Sequence, residues 1–104
     1  MVRTLARSLL VRLALGIWIL TSGAEDEDPS SLNRQVKQLL GQGKYQQAIP
    51  IAKRAVELAK RTWDPEDPNT AETIDNLAVL YANIGEYAEA EPLYQEALRI
   101  NQKV

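Results

Sequence analysis

The sequence predicts an all-α fold in which antiparallel helical hairpins stack as a short α-solenoid, and three observations carry that prediction. Ile74, Leu77, Ala78 and Tyr81 recur at i, i+3, i+4 and i+7, the spacing of one buried helical face. After Gly85 a second run, Ala90, Leu93, Tyr94 and Ala97, repeats that spacing. Gly43 and Gly85, Tyr45 and Tyr87, Ala48 and Ala90, Pro50 and Pro92, and Ala55 and Ala97 each lie 42 positions apart. A fixed period of this size marks stacked repeats.

Taken in order, residues 1–24 are predicted to be a signal peptide. Arg3, Arg7 and Arg12 form a positive leading region, Leu13 to Leu20 an apolar run, and Ser22, Gly23 and Ala24 offer the small residues a signal peptidase needs, with cleavage after Ala24. The apolar run is shorter than the roughly 18 to 20 residues that cross a bilayer, so no stable membrane span is expected. An organellar presequence or signal anchor is the alternative, but Arg12 falls on a different helical face from Arg3 and Arg7, which breaks the amphipathic stripe of a presequence. Residues 25–31 form an acidic linker in which Glu25, Asp26, Glu27 and Asp28 repel one another.

The first repeat spans 32–62. Asp28 ahead of Pro29, or else Ser30 or Ser31, caps its first helix, whose buried stripe is Leu32, Val36, Leu39 and Leu40. Gly41 and Gly43 end it. The partner helix runs from about Tyr45 to Thr62 and turns Ala48, Ala52, Ala55, Val56 and Ala59 toward its neighbours. Pro50 and Pro92 hold the same repeat position, each a turn or so inside its helix, and are read as a shared feature of helix entry with at most a slight bend. Residues 63–70 connect the repeats: Asp64-Pro65 and Asp67-Pro68 favour turns, Trp63 plugs a core or hinge, and Asn69, three residues before Glu72, caps the second repeat, 71–104. In that repeat Gly85 ends the first helix in the left-handed conformation, and small Ala78, Ala90 and Ala97 let the helices approach while Leu77, Tyr81 and Tyr94 fill the space around them.

Composition removes most chemistry. Among the 104 residues there is no histidine and no cysteine, so imidazole triads, thiol nucleophiles, disulfides and zinc sites built on those ligands are excluded. Residues 25–104 hold 14 acids against 9 bases, a net charge of −5 that disfavours nucleic acid. Carboxylate pairs such as Glu86 and Glu89, Glu89 and Glu91, or Glu72 and Asp75 interleave with apolar residues at helical spacing and belong to wetted faces rather than to an acid–base cleft. The acidic groups at 25–28 and at Asp64, Glu66 and Asp67 lack the loop shape of a cation site and serve as caps and solvated charges. No phosphate loop or nucleophile elbow is present. No enzyme activity, cofactor or metal is therefore expected.

N-L-A-V-L-Y at Asn76 to Tyr81, followed by Gly85, Tyr87, Ala90, Tyr94 and Ala97, resembles a tetratricopeptide repeat. The 42-residue period and the connector D-P-E-D-P-N-T-A, Asp64 to Ala71, resemble the kinesin-light-chain-like branch of that family. The likeness covers about Leu32 to Gln102. The first copy departs from it, with Gln35 where Leu77 stands, Val36 for Ala78 and Ala52 for Tyr94, as a degenerate or terminal repeat does. The resemblance implies a right-handed solenoid and a protein or peptide partner, held along a concave side lined by the first helix of each repeat. Its groove positions fall on Glu72, Asp75, Asn76, Val79 and Asn83 in the second repeat, and on Asn33, Arg34, Lys37 and Gly41 in the first. Asn76 matches the asparagine that bonds a ligand backbone in such repeats, and Arg34 and Lys37 suit a carboxylate. Arrays of this kind are usually stable from about three repeats upward. Two expectations follow from the run of Leu98 and Ile100 near the end: a homodimer through an uncapped last helix, or an N-terminal fragment of a longer exported protein with an effector domain beyond Val104.

Overall fold

The structure, a computed structural model, describes residues 27–103. The predicted signal peptide, its cleavage point after Ala24 and the first two residues of the acidic linker lie outside the described residues. Four helices follow in order: α1 (Pro29–Gly41), α2 (Tyr45–Thr62), α3 (Pro68–Asn83) and α4 (Tyr87–Gln102). Consecutive helices pack on one another and α1 also meets α3, which is the neighbour pattern of a short helical solenoid.

Each hairpin turns by the same device. Gly43 and Gly85 adopt φ of +75° and +83°, a region a side chain disfavours and glycine enters freely. In the first hairpin the Lys44 N–H donates to the Leu39 carbonyl at 2.9 Å and the Gly43 N–H to the Leu40 carbonyl at 3.1 Å. In the second, Glu86 donates to Tyr81 at 2.8 Å and Gly85 to Ala82 at 3.1 Å. This paired closure satisfies carbonyls that the ending helix would otherwise leave open.

The core divides in two. Val36, Ala48, Ala52, Leu77 and Leu80 join α1, α2 and α3, and Ala71, Ile74, Ala97 and Ile100 join α3 to α4. The alanines on α2 at 48, 52, 55 and 59 are all buried, so this helix sits close between its neighbours and contributes little bulk of its own.

Three of the following details differ from the sequence reading, and two agree with it. Asp67, not Asn69, caps α3: its Oδ1 accepts from the Asn69 N–H at 2.7 Å, and the helix starts at Pro68, inside the expected connector. The α1 cap is Asp28, the first of the expected caps: its Oδ1 accepts from the Ser31 N–H at 2.8 Å, and α1 begins at Pro29. Pro50 and Pro92 are each the sixth residue of their helix, a turn or so inside it as expected. They remove the donors that would meet the carbonyls of Gln46 and Ala88, at exposed positions where water can replace them. Tyr94 does not fill the core; it is 39% exposed because α4 turns that flank away from α3. Ile100, expected on an uncovered face with Leu98, is fully buried against α3, whereas Leu98 is 57% exposed. Two residues apart on a helix lie about 200° apart around its axis, so one face cannot present both.

The connector is locked by a buried threonine. Thr70 is inaccessible, and its hydroxyl donates to the Asp64 carbonyl at 2.7 Å, while the Thr73 hydroxyl donates to the Thr70 carbonyl at 2.7 Å. Thr70→Val keeps the shape and deletes the donor. It is expected to lower stability by about 1 kcal/mol in urea unfolding, and an unchanged midpoint would mean the lock contributes nothing.

Candidate functional site

Repetition places the groove candidates. Positions that follow one another along α1, namely Asn33, Arg34, Lys37 and Gly41, stand 42 residues before Asp75, Asn76, Val79 and Asn83 on α3. Because α1 and α3 are neighbours, the two sets form adjoining rows on one side of the molecule. The rows touch directly: the Asn76 Nδ2 donates to the Asn33 Oδ1 at 2.7 Å, and the Lys37 ammonium pairs with the Glu72 carboxylate. Asn33, Asp75, Asn76 and Val79 are half-buried, and Arg34, Lys37, Glu72, Asn83 and Gly41 are exposed.

These contacts change what each residue can do. Asn76 has spent one amide hydrogen on Asn33, and keeps its Oδ1 and a second hydrogen for a ligand. Asn83 donates to the Val79 carbonyl at 2.8 Å, one turn back, which leaves its oxygen as an acceptor. Lys37 is neutralised by Glu72, so of the two cations assigned to carboxylate capture only Arg34 is without an ion pair among the described residues. Asp75 likewise has none. With two bases and two acids in the rows, the surface carries amides rather than net charge.

Neither the Asn33–Asn76 bond nor the Lys37–Glu72 pair was legible in the sequence. Their partners are 43 and 35 residues apart, separations fixed only by how one hairpin seats on the next. The period placed each residue on its helix but not opposite its mate.

A second charge cluster lies at the connector. Glu66 accepts from Lys103 at 3.2 Å and from Arg99 at 3.2 Å, tying the connector to the end of α4. These two cations, Lys103 first and then Arg99, hold the Glu66 carboxyl below the ordinary glutamate range. Since the folded value is the lower one, the contact supports the fold above the ordinary carboxylate range and is lost as pH falls through the folded value. In a carbon-detected NMR titration Glu66 is expected to titrate below the ordinary glutamate range, and Lys103→Ala is expected to move its midpoint upward; an unmoved midpoint would show the contact is not formed. The other connector carboxylates are committed to backbone donors, Asp64 to Glu66 at 2.8 Å and Asp67 to Asn69. Among the described residues no three acidic side chains converge to hold a metal ion, and no helix there is long and apolar enough to cross a membrane.

Comparison with known proteins agrees with this architecture. A family model described as tetratricopeptide repeat matches residues 29–103. The chain is also similar to human Nephrocystin-3, with 39% identity over 78 residues, covering 70% of this chain and 6% of that protein. The chain thus spans a small part of the curated relative's length.

Proposed function

This chain belongs to the tetratricopeptide repeat family, and from that premise we propose that it is a non-catalytic module that holds an extended peptide or partner helix along the rows of α1 and α3. The family implies a protein-interaction scaffold. The observation that carries the finer reading is the row of side-chain amides, Asn33, Asn76 and Asn83, on two adjoining helices of a packed frame. A peptide backbone alternates donors and acceptors, and an amide answers either. The Asn33–Asn76 bond fixes the orientation of Asn76 before a ligand arrives, which lowers the ordering cost of binding. The neutral balance of the rows favours recognition through the ligand backbone, with Arg34 and Asp75 adding preference at the flanks.

A random peptide library selected on the immobilised full chain tests this. Asn76→Ala is expected to weaken the enriched peptides about tenfold by fluorescence anisotropy, while Glu57→Ala, on exposed α2 surface, leaves them unchanged. Peptides that bind both variants like the parent would place the site elsewhere.

We further propose that the chain is exported to a secreted or periplasmic location. The arginine-led apolar run before Ser22, Gly23 and Ala24 supports this. Mass spectrometry of the protein recovered from its cells is expected to find Glu25 at the N-terminus, and a retained leader would contradict it.

A further inference from the structure

The outer helices of the described residues, α1 and α4, carry opposite halves of the same contact. Tyr87, Tyr94 and Leu98 on α4 stand 42 residues after Tyr45, Ala52 and Val56, the α2 residues that pack into the α1–α2–α3 core. On α4 they are 68%, 39% and 57% exposed. At the other end, Ser31, Gln35 and Gln38 on α1 stand 42 residues before Thr73, Leu77 and Leu80, the face α3 buries inside the array. With Arg34 and Lys37 they line an open depression along α1. So α4 offers the surface that α2 uses to receive α3, and α1 offers the surface that α3 uses to dock, in a polar version.

The charge is split the same way. Residues 29–62 hold 7 bases and 1 acid, a net of +6, whereas residues 63–103 hold 2 bases and 9 acids, a net of −7. One end of the molecule is basic and the other acidic, which steers unlike ends together.

We propose that a second copy of this chain docks head to tail, its α1 seated on α4 of the first. The internal step from one repeat to the next brings Asn33 against Asn76 at 2.7 Å. The same step carried across two copies brings the residues 42 positions on and 42 positions back, Asp75 of the first copy and Arg34 of the second, against one another. These are the acid and the base of the groove rows that lack an ion pair among the described residues. The incoming face also brings the amides of Gln35 and Gln38, the counterparts of Leu77 and Leu80, toward Tyr87 and Tyr94, the counterparts of Tyr45 and Ala52 in the internal core. The two surfaces differ, so the contact is heterologous. It leaves α1 of one copy and α4 of the other open to further copies, which add in a row rather than closing as a symmetric dimer. The assembly needs no peptide in the groove, and its test is independent of the peptide-binding reading.

Sedimentation velocity on the full chain tests this with charge reversals at exposed or half-exposed positions, each variant checked for helical content by circular dichroism. The parent is expected to form species larger than a dimer as concentration rises, and to lose them on raising salt to about 0.5 M. Arg34→Asp and Asp75→Arg, each alone, place like charges opposite and are expected to weaken association about tenfold. Mixed in equal amounts, the two variants present only unlike pairs at alternating junctions, and association is expected to return. A parent that stays monomeric, a species that stops at a dimer and ignores Arg34→Asp, association that survives both reversals, or a mixture that fails to recover would each overturn the proposal.

Discussion

Leu80→Ala is expected to lower the unfolding free energy by about 3 kcal/mol, the middle of the range for an inaccessible leucine cut back to alanine. Leu80 has no exposed surface and packs with Leu77, Val36, Ala48 and Ala52 at the seam between the hairpins. Two features make the loss severe. The surrounding alanines have no side-chain length with which to refill a cavity, and a domain of this size holds only on the order of 5 kcal/mol in total. In a repeat array the seam also couples one unit to the next, so a hole there weakens cooperativity as well as stability. Urea unfolding followed by circular dichroism measures both, as a lower midpoint and a shallower transition. Leu98→Ala on exposed α4 surface is the matched control, expected to change stability by less than about 0.5 kcal/mol. Equal effects at the two sites would mean that the seam is not where the core lies.

A larger effect is expected from a carboxylate at position 100. Ile100 is fully buried with Ala71, Ile74 and Ala97, and a charged group there must either be desolvated without a partner or force α4 away from α3. Ile100→Asp is expected to cost more than about 4 kcal/mol and to release α4, while Leu98→Asp, two residues earlier, leaves the fold intact. Hydrogen exchange separates the outcomes, with α4 amides losing protection in the first variant and keeping it in the second. Protected α4 amides in Ile100→Asp would contradict the burial of that residue. The same pair of variants separates the apolar face of α4 that builds the core from the one left open.

The hairpins, their apolar stripes and the left-handed glycines were legible because they depend on spacing within a few residues. Leu32, Val36, Ile74 and Leu77 recur at helical intervals, and Gly43 and Gly85 stand where each first helix must stop. The misreadings came where neighbours in space decide the outcome. Tyr94 fits the family pattern of an inward aromatic, but whether an aromatic on α4 is covered depends on what packs beyond α4. Leu98 and Ile100 both belong to a last helix whose outer side would meet a further repeat, but helical geometry sets them on different sides and only Leu98 faces outward. Asp67 and Asn69 are both good caps, and the choice fell to Asp67 because Pro68, lacking a donor, suits the first helical position. At the groove, the period put every candidate on its helix. The Asn33–Asn76 bond and the Lys37–Glu72 pair depend on the seating of α3 beside α1, which no local spacing encodes. Beside the 42-residue period itself, Gln35 and Gln38 were a long-range signal in the sequence, polar residues at the positions where α3 carries Leu77 and Leu80.

The measurement that bears most directly on the peptide-binding surface is an amide NMR titration of the chain with a library-selected peptide. The backbone signals of Asn33, Arg34, Asn76, Val79 and Asn83 are expected to shift together and to saturate at one peptide per chain, with the α2 and α4 signals nearly still. Shifts confined to α2 or to the exposed flank of α4, with the α1 and α3 rows unmoved, would contradict the assignment of binding to the paired first helices.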